Sequence, residues 1–353
     1  MKIIRENFKL DKKMLETLNS KQFNRFFNAN KISIFDIETT GLYPKHDKII
    51  LIGFVHIMPP HDDGELVQFF SESPEEEKDI LLEAIREISD SDMLITYNGR
   101  SFDVPFLDTR CKKYSIQSKN IFNLDLYQLV RNYSTLKNIM GSLSQKSMEE
   151  FMQINHLRAD EISGGESVNL YNEYTSNALD SFKSEALLNK ILLHNRDDVL
   201  QLTRLISLLK YFDLNVAVEK IGFTTKDLLV TEYTLSSTQF KINGLQKNEY
   251  VDYISFPNLK FSGKIEFNGQ DGTWNAEYPI YTRKEGKFVD LTEFKDMLSS
   301  NNSKYLILSK NSIVDNKLIL SDYGKQNSTA CYDFARLFVD KIEKEMLLFQ
   351  VLG

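Results

Sequence analysis

A mixed α/β sheet domain followed by a smaller α+β domain is the architecture this sequence predicts. Apolar runs of strand length alternate with helical patterns up to about residue 211, and the texture then changes to short strands separated by NG, DG and KEG turns, closed by a helix. At 353 residues the chain is long enough for two cores. The first thirty residues read as a lead-in helix, with Met14, Leu15, Leu18, Phe26 and Phe27 at helical spacing. KISIFDI, KIILIGFVHIM and ELVQFF read as strands whose short, turn-rich connections favour antiparallel neighbours. An acidic helix opens at Ser73-Pro74, with Glu75, Glu76 and Glu77 where negative charge suits the helix dipole. DMLITY is a strand leading through NGRSFDVPFLDTRCKKY into a helix with Pro105 in its first turn. NIFNLDL adds a fifth strand, residues 126–182 turn helical and polar, and a long helix runs from about Ser184 to Tyr211. The expected divisions are a lead-in helix at 1–30, a five-stranded mixed sheet domain flanked by helices at 31–213, a connector at 214–229 and an α+β domain at 230–353.

Charged residues make up 26% of the chain and mean hydropathy is −0.34. No run approaches the roughly 18 apolar residues of a membrane span, and the start lacks the apolar core of a secretory signal, so a cytoplasmic protein with no membrane partner is expected. Cys111 and Cys331 have no metal-ligand spacing and indicate no disulfide framework. A net charge of −7 argues against binding a polyanion through a global positive field. Residues 110–140 nevertheless carry Arg110, Lys112, Lys113, Lys119, Arg131 and Lys137 against Asp125 alone, a solvated face or the first place to look for a polyanion. Phe261, Phe267, Trp274, Tyr278 and Tyr281 of the second domain either stack on bases or fill a core, and core is the expectation.

Three stretches gather chemistry. In IFDIETTGL, Asp36 and Glu38 project from one side of a strand, roughly 7 Å apart along the backbone. Like charges this close call for protonation, a cation, or plain solvation. In TYNGRSFDVPFL, Asn98 and Asp103 flank a glycine turn between strand and helix, at the carboxyl end of a strand where ligands bind in α/β sheets; Asp103 could equally cap the helix. In LLHNRDDVLQL, Leu188, Ile191, Leu192, Val199, Leu202, Ile206 and Leu209 form an apolar stripe. Asp198 lies about 60° from its centre, His194 about 100° and one turn earlier, and Asp197 points away into water. Four carboxylates converging at a sheet edge suit two Mg²⁺ or Mn²⁺ ions, which offset the repulsion and stabilise a phosphodiester's attacking and leaving oxygens.

FDIETTGL, N-x-x-x-F-D at Asn98 to Asp103, and His194 to Asp198 resemble the three exonuclease motifs of the DEDD superfamily in the ribonuclease H-like fold. Their wording, with Gly164-Gly165, Tyr171 and Tyr174, looks most like its YprB-like branch. The resemblance covers about residues 33–209 and does not extend to 230–353. It implies a metal-dependent 3′→5′ exonuclease acting on the 3′ end of single-stranded DNA or RNA, DNA favoured. The resemblance makes Asp36, Glu38 and Asp198 ligands of one ion, with Asp36 bridging to a second that Asp103 holds mainly through water. It also makes Thr39, Thr40, Gly41 and Leu42 line the terminal-nucleotide pocket, Leu42 as a wedge, with Asn98 and Phe102 supporting it. A histidine stands at the spacing of the superfamily's tyrosine type, so His194 either orients or deprotonates the nucleophilic water. The other readings are an exoribonuclease, an endonuclease of the same fold, or a non-catalytic nucleic-acid-binding module.

Overall fold

The computed structural model describes residues 1–160, 162–176, 181–299, 305–306 and 309–352. The chain divides into two units, Met1–Phe212 and Asp213–Gly353.

The first unit runs β1 (Lys2–Lys9), α1 (Lys12–Leu18), α2 (Lys21–Phe26), β2 (Ile32–Thr39), β3 (Ile49–Ile57), β4 (Asp63–Phe70), α3 (Glu77–Ile88), β5 (Met93–Thr96), α4 (Asp103–Lys113), β6 (Phe122–Asp125), α5 (Leu126–Tyr133), α6 (Gln145–Phe151), α7 (Gly164–Tyr174) and α8 (Ser181–Leu205). The sheet order is β1-β4-β3-β2-β5-β6. β1 to β2 are joined antiparallel, and β5 and β6 continue from β2 in parallel. The sheet therefore has six strands, not the five expected, because the lead-in helix opens with a strand. Residues 2–9 are mostly charged or polar, which blurs their period-two signal, but they cover the edge of β4 from Lys2↔Phe70 to Lys9↔Asp63. Helix begins only at Lys12, where Asp11 caps it, and Met14, Leu18, Phe26 and Phe27 are buried.

Alternation along β2 sorts its side chains between two layers. Phe35 and Ile37 pack with Ile80, Leu81 and Ala84 of α3 and with Phe106, Leu107 and Cys111 of α4. The other face receives α7 and α8 through Ile50, Leu51, Phe70, Tyr171, Leu188, Ile191 and Leu192. β3 is buried along its whole length, hence the continuous apolar run. At the end of β2 the register shifts: Glu38 pairs with Leu51 but Thr39 with Ile49, so Ile50 is the extra residue of a bulge.

Arg110 does not belong to a solvated basic face. It is 0% exposed, its Nη2 lies 2.5 Å from Glu77 Oε2 and its Nε 2.7 Å from Oε1. Glu77 also accepts the Tyr114 hydroxyl at 2.8 Å and the Ile49 N–H at 2.9 Å. This first-turn acid is thus a buried cross-link among α3, α4 and β3. Lys112 is paired with Asp108 at 2.7 Å, which thins the basic stretch further.

The second unit opens with α9 (Leu214–Ile221), whose Leu214, Ala217, Val218 and Ile221 are buried, so the segment expected as a connector is a packed helix. β7 (Phe223–Thr224), β8 (Leu228–Leu235), β9 (Gln239–Gln246), β10 (Tyr253–Ser255), β11 (Lys264–Asn268) and β12 (Thr273–Pro279) form one sheet, in the order β10-β11-β12-β9-β8-β7. A second sheet is built from Tyr281–Thr282, Gly286–Asp290, Lys317–Asp322 and shorter strands beside them. In the closing helix Ser328–Leu352, Phe334 and Phe338 meet Tyr278. Phe261, Phe267, Trp274 and Tyr278 are buried core, whereas Tyr281 is 54% exposed. Among the described residues no helix is long and apolar enough to cross a membrane. Both cysteines are free and buried.

His56 of β3 gives the first unit a pH-dependent stability. Its ring is buried beside Ser33 Oγ at 2.7 Å, and burial, then the Lys31 charge, push its pKa down to about 4. The unfolded chain takes up this proton near pH 6.5 while the folded chain does not, so stability falls as pH drops from about 6.5 towards 4, by up to roughly 3 kcal/mol. In urea denaturation across that window, His56→Phe should lose stability less steeply than the wild type by about this amount. Parallel curves for the two proteins would contradict the assignment.

Candidate active site

Asp36 and Glu38 leave β2 on the α8 face. Asp36 pairs across the sheet with Gly53, where a Cβ would meet Asn195 Oδ1 at 2.0 Å. The missing side chain lets α8 approach the sheet. Asn195 Nδ2 then donates to Asp36 Oδ2 at 2.9 Å, while its Oδ1 accepts from Gln68 Nε2 at 2.9 Å. Gln68 Nε2 also donates to the Leu192 carbonyl at 2.9 Å, so the asparagine that holds Asp36 is itself oriented.

Asp103 arrives from the other direction. Parallel pairing between β2 and β5 ends at Ile34↔Ile95, and beyond it the Ile37 N–H donates to Asp103 Oδ1 at 3.2 Å. Asp103 is the first residue of α4, and the N-cap position belongs to Phe102, which makes no side-chain capping bond. Asp103 is thus not the N-cap that the sequence also allowed, and its carboxylate accepts from β2 beside Asp36. The preceding turn is held by Asp125, whose carboxylate accepts the N–H of Asn98 at 2.9 Å and of Arg100 at 3.0 Å. Asn98 sits at φ 66°, and a Cβ on Gly99 would meet Thr96 Oγ1 at 2.5 Å. Phe102 packs into the α3/α4 core. Thr39 is buried and its hydroxyl donates to the Gly41 carbonyl at 2.6 Å, Thr40 and Gly41 are half-buried, and Leu42 is 73% exposed.

α8 supplies His194 and Asp198. His194 Nε2 lies 3.5 Å from Glu38 Oε1 and 3.5 Å from Asp198 Oδ2, and ligand atoms of these three residues all lie within 4.8 Å of one another. The structure thus brings Asp36, Glu38, Asp103, His194 and Asp198 to one place. Their mutual proximity appears in their acidities. Burial, then the charges of Asp103, Asp198 and Glu38, raise the Asp36 pKa well above the usual range. Burial pushes Glu38 up to about 7 against the pull of His194. Burial likewise pushes Asp103 up to about 7 against its backbone hydrogen bonds. Asp198 is raised by burial, with His194 and Arg158 opposing. For His194, burial works against the imidazolium, but Asp160, Asp198 and Glu38 outweigh it and raise its pKa.

These donors fit divalent cations. They are carboxylate oxygens with one imidazole beside them and no thiolate, a set that suits a divalent cation preferring oxygen donors. Burial first, and then neighbouring negative charge, hold the protons of Glu38 and Asp103 into the neutral range, and divalent charge would relieve the repulsive part.

Asp197 is not in water as the helical wheel implied. It is 3% exposed, and its Oδ2 accepts the N–H of Ala159 at 2.5 Å and of Asp160 at 2.8 Å. The wheel considers only the sheet side, whereas the 158–160 segment covers α8 on a second side. That segment carries groups the sequence did not flag. Arg158 Nη2 bonds Asp198 Oδ1 at 2.6 Å and Glu149 Oε1 at 2.7 Å, Nη1 bonds Asp160 Oδ1 at 2.8 Å, and Asp160 Oδ2 faces His194 Nδ1. Gly53 was a readable signal, a glycine inside an unbroken apolar strand, and it points to close backbone approach. Arg158 and Asp160 had no local signal.

A family model of the RNase_H superfamily matches residues 33–210, about half the chain. The chain belongs to the RNase_H superfamily. It is similar to the DNA polymerase III PolC-type of Ureaplasma parvum, with 30% identity over 149 residues, 36% of this chain and 10% of that protein. It is also similar to the DNA polymerase III PolC-type of Mycoplasma pneumoniae, with 35% identity over 104 residues, 24% of this chain and 7% of that protein. The chain therefore spans a tenth or less of these polymerases. Among solved structures it is similar to the family B DNA polymerase of Pyrobaculum calidifontis, at 19% identity and a TM-score of 0.40, over 51% of this chain and 25% of that one. The acidic cluster lies within the RNase_H superfamily segment, on an RNase H-like sheet with flanking helices.

Gly53 tests the close approach. Gly53→Ala should lower stability by about 1–3 kcal/mol, the cost of overpacking, in urea denaturation. In an Asn195→Ala background, where the obstructing amide is gone, most of that cost should vanish. An unchanged cost there would mean that the clash lies elsewhere.

Proposed function

We propose that the protein is a 3′→5′ exonuclease that hydrolyses the terminal phosphodiester of single-stranded nucleic acid, with two divalent cations, Mg²⁺ or Mn²⁺, as cofactors. The observation that carries this reading is the cluster of Glu38, His194 and Asp198, with Asp36 and Asp103 close enough that the charges of these acids bear on one another. Asp36, Glu38, Asp103 and Asp198 are the residues that would hold the cations. When bound, the cations offset the carboxylate repulsion and stabilise the charge that builds on the phosphoryl oxygens.

The chain's own groups do the rest. His194 Nε2 faces the cluster, and from there it orients the attacking water and takes its proton as the oxygen bonds to phosphorus. The bond from phosphorus to the 3′ oxygen breaks, that oxygen takes a proton from solvent water, and the products are a nucleoside 5′-monophosphate and a 3′-hydroxyl on the shortened strand. Thr39, Thr40 and Gly41 line the pocket for the terminal nucleotide, exposed Leu42 wedges beside the last base, and Asn98 and Phe102 support that pocket, Phe102 from within the α3/α4 core. We favour DNA because the curated relatives are DNA polymerases. A charged composition and two buried thiols support a cytoplasmic setting.

The test is cleavage of 5′-labelled single-stranded DNA, RNA and duplex with Mg²⁺, Mn²⁺ or EDTA. Single-nucleotide shortening of the DNA strand is expected, abolished by EDTA. Asp36→Ala should reduce it roughly 100- to 1,000-fold, the scale of losing one preorganised electrostatic contact. Internal fragments would indicate an endonuclease, and His194→Phe with near wild-type activity in Mn²⁺ would remove that residue from the chemistry.

A further inference from the structure

We infer that Asp160 is a positioning residue for His194, delivered by a segment that reads a single turn of α8 at three points. The inference takes its catalytic meaning from the exonuclease reading, while its structural half stands apart from that reading.

An imidazole has two neutral tautomers, and only one can present an acceptor nitrogen to a given side. In His194 the two nitrogens have different surroundings: Nδ1 faces Asp160 Oδ2, and Nε2 faces Glu38 and Asp198. A carboxylate on Nδ1 holds the N–H there and turns Nε2 into the acceptor towards the cluster. A buried ring without that partner would be free to carry its hydrogen on Nε2, which would then donate to Glu38 or Asp198 instead of accepting.

Asp160 comes from an irregular segment 34 residues away in sequence, so its placement has to be enforced. Each partner on α8 lies within one turn, because residues three and four apart share a helix face. Asp160 meets His194, Asp197 takes the backbone N–H groups of Ala159 and Asp160, and Arg158 takes Asp198 Oδ1. A one-residue slip of the segment would break all three contacts. The Asp160 carboxylate is fixed at both oxygens, Oδ1 by Arg158 and Oδ2 by His194, and Arg158 is anchored in turn on Glu149 at 2.7 and 3.0 Å. Against burial, His194 and Arg158 keep Asp160 ionised below its usual range. The same clamp leaves Asp198 Oδ2 as the oxygen beside His194 Nε2.

The experiment has two arms, both on the full chain. In the first, kcat and KM are measured on labelled single-stranded DNA with Mn²⁺ for the wild type, Asp160→Ala, Asp160→Asn, His194→Phe and Asp160→Ala/His194→Phe. Asp160→Ala should lower kcat roughly 10- to 100-fold, the scale of losing a partner behind a metal-site histidine, with KM little changed. Asp160→Asn keeps an oxygen acceptor for Nδ1–H and should recover most of the loss. In the His194→Phe background Asp160→Ala should cost less than about twofold, because the group it positions is gone. An equal cost in both backgrounds would make Asp160 merely structural, and no cost in the wild type would overturn the inference outright.

The second arm needs no activity. Imidazole ¹⁵N spectra of the metal-free protein, at a pH where the ring is neutral and with His194 identified through His194→Phe, should show hydrogen on Nδ1 in the wild type and in Asp160→Asn. They should show loss of that preference in Asp160→Ala. Hydrogen on Nε2 in the wild type would overturn the inference. If no variant cleaves nucleic acid with either metal, the exonuclease reading fails and these spectra alone decide the role of Asp160.

Discussion

Four carboxylates drawn together near the end of β2, each held above its usual pKa, are the constraint around which the first unit is arranged. Burial disfavours each charge and proximity disfavours it again, so the site is a local expense that packing elsewhere must offset. The compensation is visible residue by residue. Asp36 has the Asn195 amide, Asp103 the Ile37 N–H, and Asp198 the Arg158 guanidinium. Counting Asp160 and Glu149, six acids gather where Arg158, Lys146 and His194 are the cationic partners. The residues alone leave a negative imbalance, and under the proposed reading it has the sign that two divalent cations would correct. The two apolar layers on either face of the sheet provide the stability that makes this affordable.

Legibility in the sequence followed the range of the interactions. β2 to β6 and the long helix announce themselves by local periodicity, and Asp36, Glu38, Asp103, His194 and Asp198 stand in short stretches whose element type sets their direction. β1 stayed hidden because an edge strand with mostly polar side chains owes its existence to the partner it covers. Arg110 looked like surface charge because its partner, Glu77, lies on another helix, and nothing between them marks the pair. Asp197 failed for a related reason. A helical wheel measures burial against one surface, and α8 is covered on two.

The division of labour between sheet and helix explains why these long-range contacts matter. β2 fixes the spacing of Asp36 and Glu38 through its pleat, but the distance from them to His194 and Asp198 depends on how closely α8 lies on the sheet. Gly53 leaves room on the sheet for the Asn195 amide. A side chain at position 53 would collide with that amide and displace the group that holds Asp36. The Gln68–Asn195–Asp36 chain on one side of the α8 turn that carries His194 and Asp198 and the Arg158–Asp160 segment on the other locate it from opposite directions. A helix held only by its apolar stripe could rotate by several degrees at little cost, since side chains of similar volume repack readily. Hydrogen bonds to named atoms on two sides do not permit that freedom. The polar groups buried around α8 therefore serve orientation more than stability, and it is orientation that a cluster of like charges loses first.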